Sequence, residues 1–186
     1  LGQIATTSAA HASMGYGLAT AIGAAFACPQ KRIIATEGEG GFVQNLQELA
    51  LLKKHRLNIK LFIFDNAGYA SIRSTQKKFF DGKYIGCDPE TGLAFPDWHQ
   101  LFAAYDIPCN ELRLGDENIN TIQDHLDKHN GPAAFLVKVD PNQTNWPVVP
   151  SVLKENGELE SAPLYAMLPN ISEEFSVKYG KYLPGG

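Results

Sequence analysis

Apolar positions along the first part of the chain switch between a strand period and a helical period. Residues 15–27 are small or apolar and predict a helix that ends before Pro29, because proline cannot continue a helix. Residues 32–36 have a strand-like pattern, and residues 59–64 form an apolar run of strand length. Between these two runs, apolar side chains recur at the spacing of one helix face, at Phe42, Leu46, Leu49, Ala50 and Leu57.

The alternation continues beyond residue 94. Helices are predicted at 96–105 and 118–128, and strands at 111–114 and 133–139. Strands that alternate with helices in this way are typical of an α/β fold in which each helix connects two parallel strands. We therefore expect a doubly wound parallel sheet with helices on both faces.

Two stretches lack a clear period. Residues 71–94 contain several glycines and prolines and predict a functional loop or a partly mobile one, in which Arg73 is a candidate for substrate contact. Beyond Pro141, five further prolines interrupt the chain. We therefore divide the chain into one domain at 1–140 and an irregular Pro-rich extension at 141–186, which we expect to pack on the domain or on a neighbouring subunit.

Composition narrows the classes of function. The formal net charge is −4, and no basic stripe interleaved with aromatic residues is present, which argues against nucleic acid as a partner. No apolar run of 18 residues exists, so no membrane span is predicted, and the Ala/Gly-rich start lacks the basic segment of a signal peptide. Three scattered cysteines without a CxxC pair indicate reduced thiols and a cytoplasmic protein rather than a disulfide framework or a zinc site.

A glycine turn follows the first predicted strand and carries candidate chemistry. Gly38-Glu39-Gly40 is followed by 24 residues and then by Asp65-Asn66. The strand–turn–helix–strand arrangement places Glu39 and Asn66 at the carboxyl ends of neighbouring strands, where α/β sheets bind ligands. A carboxylate and a carboxamide oxygen suit Mg²⁺, which usually completes its shell with phosphate oxygens and water. Glycines in such a turn let the backbone approach a phosphate closely.

This motif and its surroundings resemble the diphosphate-binding, C-terminal domain of thiamine-diphosphate-dependent enzymes, in the acetohydroxyacid synthase and 2-oxo-acid decarboxylase group. The resemblance covers about residues 3 to 140. It includes the segment 7–18 before the first strand, Gln47-Glu48-Leu49 in the helix after the glycine turn, and Asn66-Ala67-Gly68-Tyr69 after the second strand. The family pattern is Gly-Asp-Gly, some two dozen residues, and Asn-Asn.

The chain departs from the family pattern at two positions. Glu39 stands where the family has the metal-binding Asp, which keeps the charge but adds one methylene, so the metal or the loop must shift by about 1.5 Å. Mg²⁺ tolerates such a change less well than Ca²⁺ or Mn²⁺. Asp65 replaces the first Asn of the pair, whereas the family ligand is the second, matched by Asn66. Asp65 is interpreted either as a turn residue or as an extra carboxylate that strengthens the field at the cation.

The resemblance implies a site that holds thiamine diphosphate and Mg²⁺. The metal ligands it implies are the side chains of Glu39 and Asn66 and the carbonyl of Gly68. Further residues would contact the cofactor, through the backbone amides of the glycine turn or through the loop after the second strand. These residues are Gly38, Gly40, Gly41, Asn66, Gly68 and Tyr69.

The segment before the first strand supplies the remaining candidates. By resemblance, the Ala12 carbonyl accepts a hydrogen bond from the cofactor's amino group, and Met14 is the bulky residue that wedges the cofactor into a bent shape. The alternative for Met14 is core filling. His11 lies just before the wedge and is either the catalytic proton donor that faces the substrate or a structural histidine.

The function implied is that of an acetolactate synthase-like carboligase or decarboxylase, a transferase or lyase acting on a 2-oxo acid such as pyruvate. In this family a glutamate of a separate pyrimidine-binding domain completes the site, and nothing in this chain resembles that domain. We therefore expect the chain to be the C-terminal piece of a longer protein, or one subunit of a two-chain enzyme, within a homodimer or homotetramer. The resemblance leaves open whether the full-length enzyme also carries FAD.

Two other functions are retained as alternatives. The Glu39 and Asp65 departures favour a degenerate, non-catalytic paralogue that serves as a regulatory or scaffold subunit. A nucleotide-binding α/β domain is the third hypothesis, although Gly38-Glu39-Gly40-Gly41 is neither a GxGxxG fingerprint nor a P-loop.

Overall fold

The computed structural model describes residues 2–8, 11–113, 115, 119–128, 130–143, 147–163, 166–169 and 172. Two compact units are present, Leu1–Asn142 and Gln143–Gly186, and each is described by itself. The predicted packing of the extension on the domain or on another subunit stays a prediction. Parts of four predicted segments lie outside the described residues. They are Ala9 and Ala10, Leu114, Asn118, and residues 144–146, 164–165, 170–171 and 173–186 of the extension.

The first unit alternates strands and helices, and its four strands follow one another in the order that the periodicity predicts. Its strands are β1 (Ile33–Gly38), β2 (Ile59–Asp65), β3 (Cys109–Leu112) and β4 (Ala133–Lys138). Its helices are α1 (Tyr16–Ala27), α2 (Glu39–Phe42), α3 (Leu49–His55), α4 (Ala70–Phe79), α5 (Trp98–Ala104) and α6 (Ile119–Lys128).

The four strands of the first unit form one parallel sheet in the order β1–β2–β4–β3. In this order β1 and β2 are neighbours, and β4 lies between β2 and β3. The carboxyl ends of β1, β2 and β4 therefore lie side by side at one edge of the sheet. The predicted α/β class with a parallel sheet is confirmed.

The core lies on one face of this sheet. Ala35, Leu61 and Ala134 form one cross-strand row, and they belong to a buried cluster with apolar residues of α1, α3 and α5. Phe102 of α5 is fully buried and stacks on Phe42, with ring centroids 5.8 Å apart. Burial of these side chains fixes the helices against the strands whose ends carry the candidate site.

The helix predicted from Phe42 to Leu57 is interrupted. A 3₁₀ segment, Val43–Glu48, separates α2 from α3, and Asn45 has non-helical backbone angles (φ −134°, ψ 32°). The Asn45 Nδ2 donates a hydrogen bond to the carbonyl of Gly15, at 2.7 Å. The apolar spacing did not reveal this break, because Phe42 and Leu49 on either side of it are both buried.

The prediction of a loop over residues 71–94 is wrong for its first part, because α4 is a helix. None of its residues is buried, and Ile72 and Phe79 are too few apolar side chains to show a helical period in the sequence. Further along, Asp88 and Thr91 form a reciprocal capping box around the short 3₁₀ helix Pro89–Thr91.

The second unit contains regular structure where the sequence predicts an irregular extension. Strands β5 (Ser151–Leu153) and β6 (Leu159–Ser161) pair in antiparallel fashion. The turn between them includes Gly157, whose φ of 83° favours glycine. The expectation of an irregular segment is therefore wrong for this hairpin, which is too short for its period to be recognised.

The helices of the described residues are short, and the longest, α1, has 12 residues. None of them is long and apolar enough to cross a membrane.

We predict that Phe102→Ala lowers the free energy of unfolding by about 3 to 5 kcal/mol, because it leaves a cavity in a fully buried part of the core. Chemical denaturation of the chain followed by circular dichroism measures this loss. Phe80, which is 59% exposed, provides the matched control, and Phe80→Ala should change the value by no more than about 0.5 kcal/mol. Equal losses in the two variants would contradict the core described here.

The three cysteine thiols are free and differ in accessibility. Cys28 is exposed, Cys87 is buried and Cys109 is partly buried. Burial, with the nearby Glu111 charge, raises the pKa of Cys109 to about 11. Its reactive thiolate is therefore a small fraction of the thiol near neutral pH.

We predict that iodoacetamide modifies Cys28 first in the folded protein and that Cys109 reacts at least about 100-fold more slowly near pH 8. The rate at Cys109 should rise as the pH approaches 11, because the thiolate fraction rises. Peptide mass spectrometry over a time course measures both rates, and a denatured sample serves as the control. Similar rates at Cys28 and Cys109 in the folded protein would contradict the prediction.

Candidate metal and diphosphate site

Glu39 brings the two predicted metal-binding loops together. It begins α2 directly after β1, and its side chain is only 1% exposed. Its Oε1 accepts hydrogen bonds from the backbone N–H of Gly68, at 2.7 Å, and of Asn66, at 3.1 Å. The loop after β2 is therefore tied to the end of β1 through a single carboxylate.

The surroundings of Glu39 disfavour its negative charge. Burial raises the pKa of the Glu39 carboxyl, and the nearby charge of Asp65 adds to the rise. The N–H groups of Gly68 and Asn66 act in the opposite direction, because they stabilise the carboxylate. A cation beside this carboxylate would offset the cost of its burial.

The Asn66–Gly68 loop has an unusual backbone. Ala67 has a φ of 58° and Gly68 a φ of 149°, both in the left-handed half of conformational space. A Cβ on Gly68 would lie 2.2 Å from the carbonyl oxygen of Cys87, so only glycine fits there. The same carbonyl accepts the N–H of Tyr69 at 2.8 Å, which fixes the end of the loop.

Arg73 binds the other side of this loop. Its Nη2 donates to the Asn66 carbonyl at 2.8 Å and to Asn66 Oδ1 at 3.1 Å, and its Nη1 donates to the Ala67 carbonyl at 3.1 Å. The sequence assigned Arg73 only to a loop of substrate contacts. Its bonds to a predicted metal ligand could not be read from the sequence.

Asp65 is engaged in local structure. Its Oδ1 accepts the N–H of Ala67 at 3.2 Å, and its Oδ2 forms an ion pair with Lys138 of β4. These contacts agree with its interpretation as a turn residue at the end of a strand. After burial, its negative charge is a further cause that raises the pKa of the Glu39 carboxyl.

The glycines of the turn pack closely against other side chains. A Cβ on Gly40 would lie 2.2 Å from the ring of Tyr69, and one on Gly41 would lie 2.9 Å from Glu37 Oε1. Gly38 is the extended residue that precedes α2. This packing explains why positions 40 and 41 are occupied by glycine. The contacts of Gly40 and Gly41 with a diphosphate stay a prediction.

The 11–14 segment reaches the solvent. The backbone N–H groups of His11 and Ala12 both donate to the Ser8 carbonyl, and Ala12 has a positive φ of 48°. The His11 side chain is exposed, and Met14 is 52% exposed, so Met14 does not fill the core. Its role as a wedge and that of His11 as a proton donor stay predictions.

Glu37 is a residue of this region that the sequence did not single out. Its Oε1 accepts the N–H of Gly15 and its Oε2 that of Leu18, both at 3.1 Å, so the carboxylate caps the start of α1. Burial raises its pKa, and the N–H groups of Leu18, Gly17 and Gly15 oppose the rise. One feature of the sequence could have pointed to Glu37. It is a charged residue at a position of β1 that faces the core, in register with Ile63.

A metal at this site would depend on more than acidic side chains. Among the described residues, no group of three or more His, Cys, Asp or Glu side chains is placed to hold a metal ion. The Glu39–Asn66 pair supplies one carboxylate and one carboxamide. Ligand phosphate oxygens and water would have to complete the shell, which is the usual arrangement for Mg²⁺.

Comparison with known proteins identifies relatives of the chain. A family profile described as "Thiamine pyrophosphate enzyme, C-terminal TPP binding domain" matches residues 2–137. The acetolactate synthase isozyme 2 large subunit of Escherichia coli (strain K12) is 31% identical over 155 residues, which are 83% of this chain and 27% of that protein. The acetolactate synthase large subunit of Cyanidium caldarium is 39% identical over 101 residues, 54% of this chain and 17% of that protein.

A further relative is similar at a slightly lower identity. The acetolactate synthase large subunit of Porphyra purpurea is 29% identical over 143 residues, which are 77% of this chain and 24% of that protein. The chain thus spans no more than about a quarter of the length of these relatives.

We predict that Glu37→Ala lowers the free energy of unfolding by about 1 to 2 kcal/mol, because the first N–H groups of α1 lose their acceptor. Glu37→Gln should lose less, since an amide oxygen still accepts. Chemical denaturation measures both values, and Glu155→Ala at an exposed position is the control. A Glu37→Ala variant as stable as the control would contradict the capping role.

Proposed function

This chain belongs to the thiamine pyrophosphate enzymes, as a C-terminal TPP binding domain, and from that premise we propose that it binds thiamine diphosphate together with Mg²⁺. The enzyme we propose is a carboligase or decarboxylase that acts on a 2-oxo acid such as pyruvate, in the manner of an acetolactate synthase. The names of its relatives support this choice of reaction.

The observation that carries the proposal is the pair of hydrogen bonds from Asn66 and Gly68 to the Glu39 carboxylate. They hold the three proposed metal-binding residues in one loop-to-loop contact at the carboxyl ends of β1 and β2. Chain separation between Glu39 and Gly68 is 29 residues, so the contact depends on the parallel pairing of the strands.

The donor set fits Mg²⁺. A carboxylate has about four lone-pair positions, so two N–H bonds to Oε1 of Glu39 leave acceptor capacity for a cation. The Oδ1 of Asn66 accepts one bond from Arg73 and has a second lone pair. When bound, thiamine diphosphate supplies a nucleophilic carbon and an electron sink for cleaving or forming a carbon–carbon bond next to a carbonyl.

The remaining residues have distinct proposed roles. The backbone amides of Gly40 and Gly41 bind the diphosphate, with Gly38 and Tyr69 beside them. Met14 supports the bent cofactor, and its exposed side chain is available for that contact. The Ala12 carbonyl accepts a hydrogen bond from the cofactor's amino group, and the exposed His11 holds a proton for the substrate.

The proposed enzyme needs a second domain. A pyrimidine-binding domain, from the same or a neighbouring chain, supplies the carboxylate that faces the cofactor ring. The chain accounts for only 27% of the Escherichia coli relative's length, which leaves room for such a domain in a protein of similar size. A cytoplasmic homodimer or homotetramer is part of the same proposal.

A non-catalytic scaffold subunit is the second candidate. Glu39 in place of the family Asp favours it, since the longer side chain bonds the Asn66–Gly68 loop directly. A scaffold requires this loop contact but no cofactor. Cofactor binding therefore separates the two functions.

We predict that thiamine diphosphate binds the longest native polypeptide containing this chain in the presence of Mg²⁺ and is lost on addition of EDTA. Glu39→Gln should weaken Mg²⁺-dependent binding at least about 10-fold, because the carboxamide keeps an acceptor for the loop but loses the charge that holds the metal. Isothermal titration calorimetry measures the affinity and the stoichiometry.

Glu39→Asp is the matched variant, since it restores the family residue, and it should retain binding. Circular dichroism of the three proteins checks that all of them fold. Absence of binding with Mg²⁺, Mn²⁺ and Ca²⁺, while the pyrimidine-binding domain is present and folded, would reject the enzyme and favour the scaffold.

A further inference from the structure

Arg73 connects the loops that follow two different strands. It lies in the first turn of α4 and donates from Nη1 and Nη2 to the carbonyls of Asn66 and Ala67 and to Asn66 Oδ1. The carbonyl of Pro141, beyond the end of β4, also accepts from Nη2, at 3.2 Å, and because Nη2 has only two N–H bonds, two of its three acceptors share one hydrogen. One guanidinium therefore fixes the ends of β2 and β4 relative to each other.

The Asn66–Gly68 loop is held from two sides by opposite charges. Its N–H groups at Asn66 and Gly68 point to the Glu39 carboxylate, and its carbonyls at Asn66 and Ala67 point to the Arg73 guanidinium. Each charged group meets the backbone groups of opposite polarity. This arrangement stabilises the left-handed conformation of Ala67, which is costly for a residue with a Cβ.

Arg73 also determines how the Asn66 carboxamide is turned. A guanidinium has donors only, so the atom that faces it must be the oxygen Oδ1 and not the NH₂ group. Without this donor, and before a cation binds, the carboxamide is free to rotate and present its two N–H donors instead. An NH₂ group cannot bind a cation.

We propose that Arg73 is the positioning residue of the metal site, which orients the Asn66 carboxamide and shapes the Asn66–Gly68 loop for a divalent cation. The inference rests on the proposed function. Arg73 acts through Asn66 and does not itself touch the metal. Such outer residues typically change metal affinity by about 10- to 100-fold when they are removed.

The test titrates Mg²⁺, and separately Ca²⁺, into the full-length protein at a fixed concentration of thiamine diphosphate. Arg73→Ala should weaken Mg²⁺ binding by about 10- to 100-fold and Ca²⁺ binding by clearly less, because Mg²⁺ demands near-ideal geometry and Ca²⁺ does not. Arg73→Lys keeps the charge but cannot span the acceptors, so its loss should be intermediate. Methylguanidinium added to Arg73→Ala should restore part of the Mg²⁺ affinity.

Lys31→Ala removes an exposed cation far along the chain and is the control, with unchanged affinity for both metals. Equal weakening of Mg²⁺ and Ca²⁺ without rescue would indicate a structural role and overturn the proposal. Arg73→Ala with wild-type Mg²⁺ affinity would overturn it while the proposed function stands. A wild-type protein that binds no cofactor with either metal would overturn both. If Arg73→Ala does not fold, the affinities of Arg73→Lys provide the test. A larger loss of Mg²⁺ affinity than of Ca²⁺ affinity would support the proposal, and equal losses would overturn it.

Discussion

The candidate site depends on one buried carboxylate whose hydrogen-bond partners are backbone amides. Glu39 is almost completely buried, and an unpartnered charge in that position would be strongly destabilising. The N–H groups of Asn66 and Gly68 meet this requirement. They are available only because the loop after β2 turns back through left-handed residues. The conformation of the loop and the burial of Glu39 therefore require each other.

The contact between Glu39 and the loop after β2 depends on how the strands pair in the sheet. Parallel pairing of β1 with β2 aligns Gly38 with Phe64, so the two chains leave the sheet side by side. Core packing of Leu61 and Ile63 against the helices holds the register, since a shift by one residue would turn these side chains to the other face. The ion pair of Asp65 with Lys138 adds β4 to the same edge.

Much of the fold follows from the sequence because the buried strands and α5 have apolar patterns of their own. Such patterns occur in the strand at 59–64 and in the helix around Trp98 and Phe102. Helix α4 was missed because it buries none of its described residues, and the break at Asn45 because the apolar spacing continues across it. Periodicity reports burial, so elements fixed by hydrogen bonds alone escape it.

The same limit applies to the site. Glu39 and Asn66 were predicted from a motif, but Glu37 acts through backbone N–H groups and Arg73 acts mostly through backbone carbonyls, with Asn66 Oδ1 as its one side-chain acceptor. Backbone partners can be provided by any residue, so they leave no trace in residue types. The Glu39 side chain has one methylene more than the family Asp, and its Oε1 bonds the loop directly. Metal binding then requires the Glu39 carboxylate to accept the hydrogen bonds of the loop and to coordinate the cation at the same time. The proposed metal site therefore uses the acceptor positions of this carboxylate that the two loop N–H groups leave unoccupied.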